Sequence, residues 1–212
     1  MPFIKLENLN ETTQFGLWKV TEKEEELYAN LTLSPYDIEE FNNITHPVRK
    51  LEWLAARKAM QELVKNSRYE YQGIQKEQNG KAHLFNQSLH ISISHTQNYA
   101  AVMLGSEKEV GIDIELIKPK IVNIAEKFIS KFEIHLHEKN IIKLTLAWCA
   151  KEAIYKYIGL DGISFKQHIF LENFYFSKGS GIINGFVKHP DIQESVSLGY
   201  FFTDEYCVAY TL

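Results

Sequence analysis

The chain of 212 residues has a formal net charge of −4, with 45% hydrophobic and 24% charged residues. This composition excludes a disordered or fibrous chain and is typical of one large domain or two lobes of about 100 residues each. The negative charge argues against broad nucleic-acid binding, which needs a basic surface. Because the sequence has neither a secretory leader nor a run of about 18 apolar residues, we expect a cytoplasmic protein without a membrane span.

The first half of the chain contains two predicted helices. Thr21 and Glu24 have the spacing of a capping box, which predicts a short helix that runs to Ala29. From Pro47 to Lys65, leucine and alanine recur at helical spacing, and proline is suited to the first turn. This second segment is predicted to be a long amphipathic helix.

Strand patterns follow between residues 79 and 116. Asn79-Gly80 predicts a turn, and apolar residues then alternate with polar ones over residues 89–93. The segments 99–104 and 110–116 are rich in apolar residues and predict two further strands.

The second half repeats the order of helices and then strands. Residues 121–132 and 134–158 have a helical period, and the tail from 169 to 212 has runs typical of antiparallel strands, one turn lying at residues 178–181. We therefore predict an α+β fold of two similar lobes, a pseudo-dimer with antiparallel sheets packed against helices and a cleft between the lobes. The predicted N-terminal lobe is 1–108 and the C-terminal lobe is 109–212.

Two carboxylates lie on the strand predicted at Val-Gly-Ile-Asp-Ile-Glu, residues 110–115. The strand period of two places Asp113 and Glu115 on one face, while Ile112 and Ile114 point into the core. Mg²⁺ prefers oxygen ligands and often binds one or two carboxylates together with substrate phosphates. The alternative is an ordinary exposed face of an edge strand.

A second group of charged residues lies on the helix predicted to end near residue 158. Helical spacing places Trp148, Glu152 and Lys156 along one face, with Lys151 beside them. The alternative for Glu152 and Lys156 is a solvated ion pair on the helix surface. The many apolar neighbours on this helix favour a cleft instead.

Together, Val-Gly-Ile-Asp-Ile-Glu at 110–115 and Trp-x-x-Lys-Glu-Ala-x-x-Lys at 148–156 resemble the paired motifs of the phosphopantetheinyl transferase superfamily. The resemblance is strongest to its larger, surfactin-synthetase-activating (Sfp) type. Gly80-Lys81 and Ile-Ser-His-Thr at 93–96 resemble two further family elements. The recognisable part extends from about Gly80 to Tyr157.

The resemblance implies transfer of the 4′-phosphopantetheine group of coenzyme A to a serine of an apo acyl or peptidyl carrier protein, with release of adenosine 3′,5′-bisphosphate. It assigns Asp113, Glu115 and Glu152 to a Mg²⁺ ion, with Mn²⁺ as the alternative metal. Glu152, or a water bound to the metal, would accept the serine proton. Lys156 and Lys151 would stabilise the departing phosphate.

The resemblance also implies a nucleotide site in the N-terminal lobe. Lys81, Ser94 and His95 would contact the 3′-phosphate and adenine of coenzyme A, together with a basic residue of the first long helix, for which Arg49 is our candidate. The predicted partners are thus coenzyme A and a carrier protein, and two lobes in one chain favour a monomer.

Two other functions remain open for the same residues. A chain with this fold could be a non-catalytic module that binds coenzyme A or a carrier protein. Clustered carboxylates with a lysine also occur in metal-dependent phosphodiesterases. The pathway served by the carrier, whether fatty-acid, polyketide, nonribosomal-peptide or another synthesis, also remains open.

Overall fold

The computed structural model describes residues 3–67, 69–77, 80–136, 138, 140–175 and 179–212. The chain divides into two compact units, Met1–Val110 and Gly111–Leu212. Each unit contains one antiparallel sheet packed against helices, so the predicted α+β fold is confirmed. Asn79 and Lys178, which belong to two predicted turns, lie outside the described residues.

The N-terminal unit is a six-stranded sheet in the order β1-β2-β6-β5-β4-β3. Its strands are β1 Phe3–Asn8, β2 Thr13–Lys19, β3 Ile74–Lys76, β4 Ala82–Leu84, β5 His90–Thr96 and β6 Tyr99–Gly105. Its helices are α1 Glu24–Ala29, α2 Pro35–Asn43 and α3 Pro47–Lys65.

Helix α3 has the bounds predicted from its apolar period. Its buried face, including Met60 and Leu63, packs with Trp18 and Val102 of the sheet in one hydrophobic cluster. The prediction for α1 was wrong at its start, because the helix begins at Glu24 rather than at residue 21. Strands β1 and β2 were not predicted.

The C-terminal unit is a five-stranded sheet in the order β7-β11-β10-β9-β8. Its strands are β7 Ile112–Leu116, β8 Ile169–Leu171, β9 Ser180–His189, β10 Ile192–Phe202 and β11 Tyr206–Thr211. Its helices are α4 Ile121–Phe128, a short 3₁₀ helix Ile134–Leu136, α5 Ile141–Ile158 and α6 Phe165–His168.

Helix α5 is the central helix of this unit and packs against β7 and β11. It begins at Ile141 rather than at residue 134, because the Asn140 side chain caps it by accepting a hydrogen bond from the Lys143 amide at 3.0 Å. It ends at Ile158, and the next residue, Gly159, caps it in a left-handed conformation with φ of 61°. No described helix, α5 included, has the length and apolar character needed to cross a membrane.

Candidate functional site

Strand β7 carries the first two residues of the candidate site at the edge of the C-terminal sheet. Ile112 and Ile114 are buried in the core, as the alternation predicts. Asp113 is also buried, at 3% exposure, so the alternative of an exposed edge-strand face is wrong for this residue. Glu115 is partly buried.

Gly111 explains how the carboxylates of β7 come close to helix α5. A Cβ atom at this position would lie 2.0 Å from the carbonyl oxygen of Ala153, so any side chain would force the strand and the helix apart. Because Ala153 directly follows Glu152, the close approach brings the Glu152 turn of α5 towards β7. The glycine of Val-Gly-Ile-Asp-Ile-Glu is therefore needed for packing.

Lys156 forms an ion pair with the buried carboxylate of β7. Its Nζ lies 2.7 Å from Oδ1 of Asp113 and donates a second hydrogen bond, of 3.1 Å, to the carbonyl oxygen of Ile112. About two turns earlier on α5, Trp148 donates its indole N–H to Oε1 of Glu115 at 3.2 Å. Helix α5 thus holds both carboxylates of the strand.

Asp113, Glu115 and Glu152, which we call the carboxylate cluster, influence one another electrostatically. Burial and then the charges of Asp113 and Glu115 raise the pKa of Glu152 to about 7, although Lys156 opposes the shift. Burial and Asp113 also raise the pKa of Glu115, against the effect of the Trp148 hydrogen bond. Burial is therefore the main cause of both raised pKa values, and the neighbouring carboxylates add to it.

The donor atoms of the carboxylate cluster suit a hard divalent cation, which binds carboxylate oxygens and would relieve their repulsion. Within the part of the chain that the structure describes, however, no three His, Cys, Asp or Glu side chains are already arranged to hold a metal ion. The chemistry of the residues thus fits Mg²⁺, and the metal assignment of these three residues stays a prediction.

Lys151 does not belong to this cluster. Its side chain is 0% exposed, and Nζ contacts Oε2 of the equally buried Glu133 at 2.8 Å together with three backbone carbonyl oxygens. With its N–H donors directed at protein oxygens, it is not available to a departing phosphate. The structure does not support the catalytic role predicted for Lys151.

The predicted nucleotide residues of the N-terminal unit fall into two places. Ser94 and His95 lie on β5, and the His95 imidazole is 3.3 Å from Glu52 of α3. Arg49 is exposed one turn before Glu52, so helical spacing places it on the same side of α3. Lys81 instead forms an ion pair of 2.9 Å with Glu109.

A cavity of about 720 Å³ in this unit lies away from the predicted nucleotide residues. Its lining includes Thr13 and Leu104, at the ends of β2 and β6, and Tyr69 from the segment between α3 and β3. Arg49, Lys81, Ser94 and His95 are not among its described lining residues. This cavity therefore does not support the predicted coenzyme A contacts.

Two contacts of α5 were missed by sequence reasoning. Glu133, the partner of Lys151, is separated from it by 18 positions and belongs to no recognisable motif. Trp148 was placed on the correct helix face, but its hydrogen bond to Glu115 has no local signal in the sequence.

Residues 109–211 match the family model of the 4′-phosphopantetheinyl transferase superfamily. The matched region contains the carboxylate cluster, Lys156 and nearly all of the C-terminal unit. The match supports the superfamily indicated by the two motifs and, with it, a transferase that acts on phosphopantetheine. No curated protein matches the chain.

Proposed function

We propose that this protein is a Mg²⁺-dependent phosphopantetheinyl transferase of the larger, Sfp type, acting as a holo-carrier-protein synthase. It transfers 4′-phosphopantetheine from coenzyme A to a serine of an apo acyl or peptidyl carrier protein and releases adenosine 3′,5′-bisphosphate. The superfamily match supports transfer in general. The observation that carries the proposal is the ion pair of 2.7 Å between Lys156 and the buried Asp113, with Glu115 on the same strand and Glu152 on the same helix close enough to influence one another electrostatically.

The proposed transfer is a displacement at phosphorus. The serine oxygen forms a bond to the phosphorus that bears the pantetheine arm, and the bond from that phosphorus to the bridging pyrophosphate oxygen breaks. The electron pair stays on the bridging oxygen, which leaves as part of adenosine 3′,5′-bisphosphate. Such a reaction depends on positioning and on stabilising negative charge, so it needs carboxylates, a cation and a proton acceptor near one another.

The carboxylate cluster would hold the metal through its oxygen atoms. When bound, Mg²⁺ supplies neutralisation of the pyrophosphate charge and a template for its orientation. The cluster has the oxygen ligands that this ion prefers, and their mutual repulsion favours binding of a dication. Trp148 keeps Glu115 oriented through its indole hydrogen bond.

Two residues of α5 have proposed roles in the proton and charge balance. Glu152, or a water bound next to it, accepts the proton of the serine hydroxyl. Lys156 stabilises the charge that develops on the departing phosphate, since its ammonium group is paired with Asp113 of the cluster. Lys151 has neither role, because its donors are used inside the protein.

For coenzyme A, the proposal retains Arg49, Lys81, Ser94 and His95 as contacts of the 3′-phosphate and adenine. Arginine and lysine suit phosphate binding, and the exposure of Arg49 leaves its guanidinium accessible. We further propose that the protein works as a monomer in the cytoplasm.

The test uses the full chain with Mg²⁺, coenzyme A and a panel of apo carrier proteins, followed by intact-mass measurement of the carriers. We expect a mass increase of one phosphopantetheine group, and loss of this increase when Mg²⁺ is chelated. Glu152→Gln should lower the rate by at least about 100-fold, in the range expected for a general acid or base. The control is Asp161→Asn, which changes an exposed carboxylate just beyond α5 and should keep full activity.

Three outcomes would overturn parts of this proposal. Binding of coenzyme A without modification of any carrier would indicate a non-catalytic binding module. Release of adenosine 3′,5′-bisphosphate in the absence of a carrier would indicate a phosphodiesterase. Full transfer activity of Glu152→Gln or Asp113→Ala would refute the assigned roles of the carboxylate cluster.

A further inference from the structure

A buried ion pair lies directly beside the candidate site in sequence, although it does not belong to the carboxylate cluster. Lys151, the residue before Glu152, has a side chain with 0% exposure, and that of its partner Glu133 is 2% exposed. The Lys151 ammonium contacts Oε2 of Glu133 at 2.8 Å and the carbonyl oxygens of Phe128, Phe165 and Ile169 at 2.8, 3.1 and 2.7 Å. Lys151 is therefore fully occupied within the fold.

Glu133 is occupied to a similar extent. Besides Lys151, it accepts hydrogen bonds from the amides of Ser130 at 2.7 Å and Leu171 at 2.9 Å. The pair thus links α5 to the end of α4, the segment after α4, α6 and β8. A buried ion pair is tolerated only when its remaining donors and acceptors are satisfied, and these contacts provide that satisfaction.

Two of the residues whose carbonyl groups bind Lys151 also contact Trp148 through their side chains. The rings of Phe128 and Phe165 pack on the Trp148 indole, with centroid distances of 5.1 and 5.3 Å. The same indole donates its N–H to Glu115 at 3.2 Å. A continuous set of contacts therefore leads from the buried pair, through two backbone segments and an indole ring, to a carboxylate of the candidate site.

We propose that Lys151 and Glu133 are positioning residues that set the orientation of Glu115 through Trp148. They hold the backbone of Phe128 and Phe165, these two rings hold the indole, and the indole holds Glu115. The consequence for catalysis rests on the proposed function, since it requires that Glu115 acts in transfer. The effect of the pair on the position of Trp148 is independent of the proposed function and can be measured separately.

The main variant is the double substitution Lys151→Met/Glu133→Gln, which removes both charges and leaves no uncompensated buried ion. The single substitution Lys151→Arg keeps a cation beside Glu133, and it tests whether that cation preserves the position of Trp148 that the double variant loses. The matched control is Lys143→Met, because Lys143 is also buried on α5, at 5% exposure, but pairs with Glu138. Circular dichroism verifies that each variant is folded.

The first measurement is ¹⁹F NMR of protein labelled with fluorotryptophan, in which Trp148→Phe assigns one of three tryptophan signals. We expect the double variant to shift or broaden the Trp148 signal while the Trp18 and Trp53 signals stay in place. Lys143→Met should leave all three unchanged. An unchanged Trp148 signal in the folded double variant would overturn the proposal, whatever the enzyme activity is.

The second measurement is the steady-state kinetics of transfer with increasing Mg²⁺. We expect kcat of the double variant to fall at least tenfold with KM for coenzyme A changed by less than threefold, and the Mg²⁺ concentration for half-maximal rate to rise. Lys151→Arg should recover part of kcat. If kcat and the three tryptophan signals all decreased in proportion to the fraction of folded protein, the pair would serve stability alone, and the proposal would be wrong. Absence of transfer in the unmodified protein would refute the proposed function but leave the NMR result decisive.

Discussion

Two groups of buried charge, one in each unit, differ in how completely their negative charge is compensated. In the N-terminal unit, the group that we call the Asp37 cluster consists of Ser34, Asp37, Arg57 and Ile74. The Asp37 side chain is 0% exposed and accepts hydrogen bonds from the Ser34 amide and hydroxyl and from the Ile74 amide. Its other oxygen contacts Nε of Arg57 at 3.0 Å. Every carboxylate oxygen in this cluster has a donor.

The carboxylate cluster of the C-terminal unit is compensated far less. Lys156 contacts Asp113, and the Trp148 indole contacts Glu115, yet the pKa values of Glu115 and Glu152 are raised by burial and by the neighbouring negative charge. Charge left uncompensated in a fold costs stability and is typical of binding and catalytic sites. We therefore expect substitutions in the Asp37 cluster to lower stability, whereas substitutions in the carboxylate cluster should affect the proposed transfer.

The largest expected effect comes from removing the cation of the Asp37 cluster with Arg57→Met. This substitution leaves Asp37 buried without its partner, which costs about 3–5 kcal/mol of unfolding free energy. It also removes the guanidinium that stacks over the Trp53 ring at 3.6 Å. Amide hydrogen exchange of α3 and β6 measures the loss in this unit without assuming that the whole chain unfolds in one step.

Arg49→Met is the matched control, since it removes an exposed arginine from the same helix. It should change the stability by less than about 0.5 kcal/mol. If the two arginine variants lose the same stability, the Asp37 cluster is not the structural element that the comparison requires.

A smaller effect, of opposite sign, is expected for Glu152→Gln in metal-free protein. The pKa of Glu152 is raised from 4.5 to about 7 in the folded state, so the folded state binds more protons than the unfolded chain between these values. Its contribution to stability is present below pH 4.5 and is lost as the pH rises through 7. At pH 8 the substitution should therefore raise the unfolding free energy, by at most about 3 kcal/mol.

Urea denaturation in the presence of a chelator, at pH 5 and at pH 8, measures this difference. The gain should be larger at pH 8, whereas Asp37→Asn should destabilise the protein at both values because it disrupts satisfied hydrogen bonds. Asp161→Asn, at an exposed carboxylate, serves as the neutral control. A destabilised Glu152→Gln at pH 8 would mean that Glu152 is already well compensated.

The parts of the site that depend on local spacing could be predicted from the sequence. Alternation along β7 gave the buried pair Ile112 and Ile114. Helical spacing placed Trp148 and Lys156 on one side of α5, and both contact residues of β7. These contacts follow from periods of two and 3.6 residues, which a sequence displays directly.

The parts that depend on distant partners could not be predicted. Lys151 has the same local surroundings in the sequence as Glu152, and only its contacts with Glu133 and Ile169 show that it is structural. The start of α5 was also misplaced, because Ile134 and Leu136 fit a helical period but form a separate 3₁₀ turn before the Asn140 cap.

The smallest expected effect concerns the Lys81–Glu109 pair. Its two charges compensate each other, as in the Asp37 cluster, but both side chains are partly exposed. Nζ of Lys81 is 2.9 Å from Glu109, which also lies 3.1 Å from the His90 imidazole. If Lys81 binds a phosphate of coenzyme A, Glu109 competes with that phosphate for the same cation. Glu109→Gln should then lower KM for coenzyme A by about two- to fivefold, consistent with a pair worth under 1 kcal/mol.

A double-mutant cycle separates this competition from an unrelated effect of the glutamate. Lys81→Met should raise KM for coenzyme A, and adding Glu109→Gln in that background should give no further improvement, because the cation for which Glu109 competes is gone. Steady-state kinetics at two salt concentrations completes the test, since screening should shrink the gain from Glu109→Gln. An equal gain with and without Lys81 would show that Glu109 acts through the general negative charge near the nucleotide, and Lys81 would lose its proposed contact with coenzyme A.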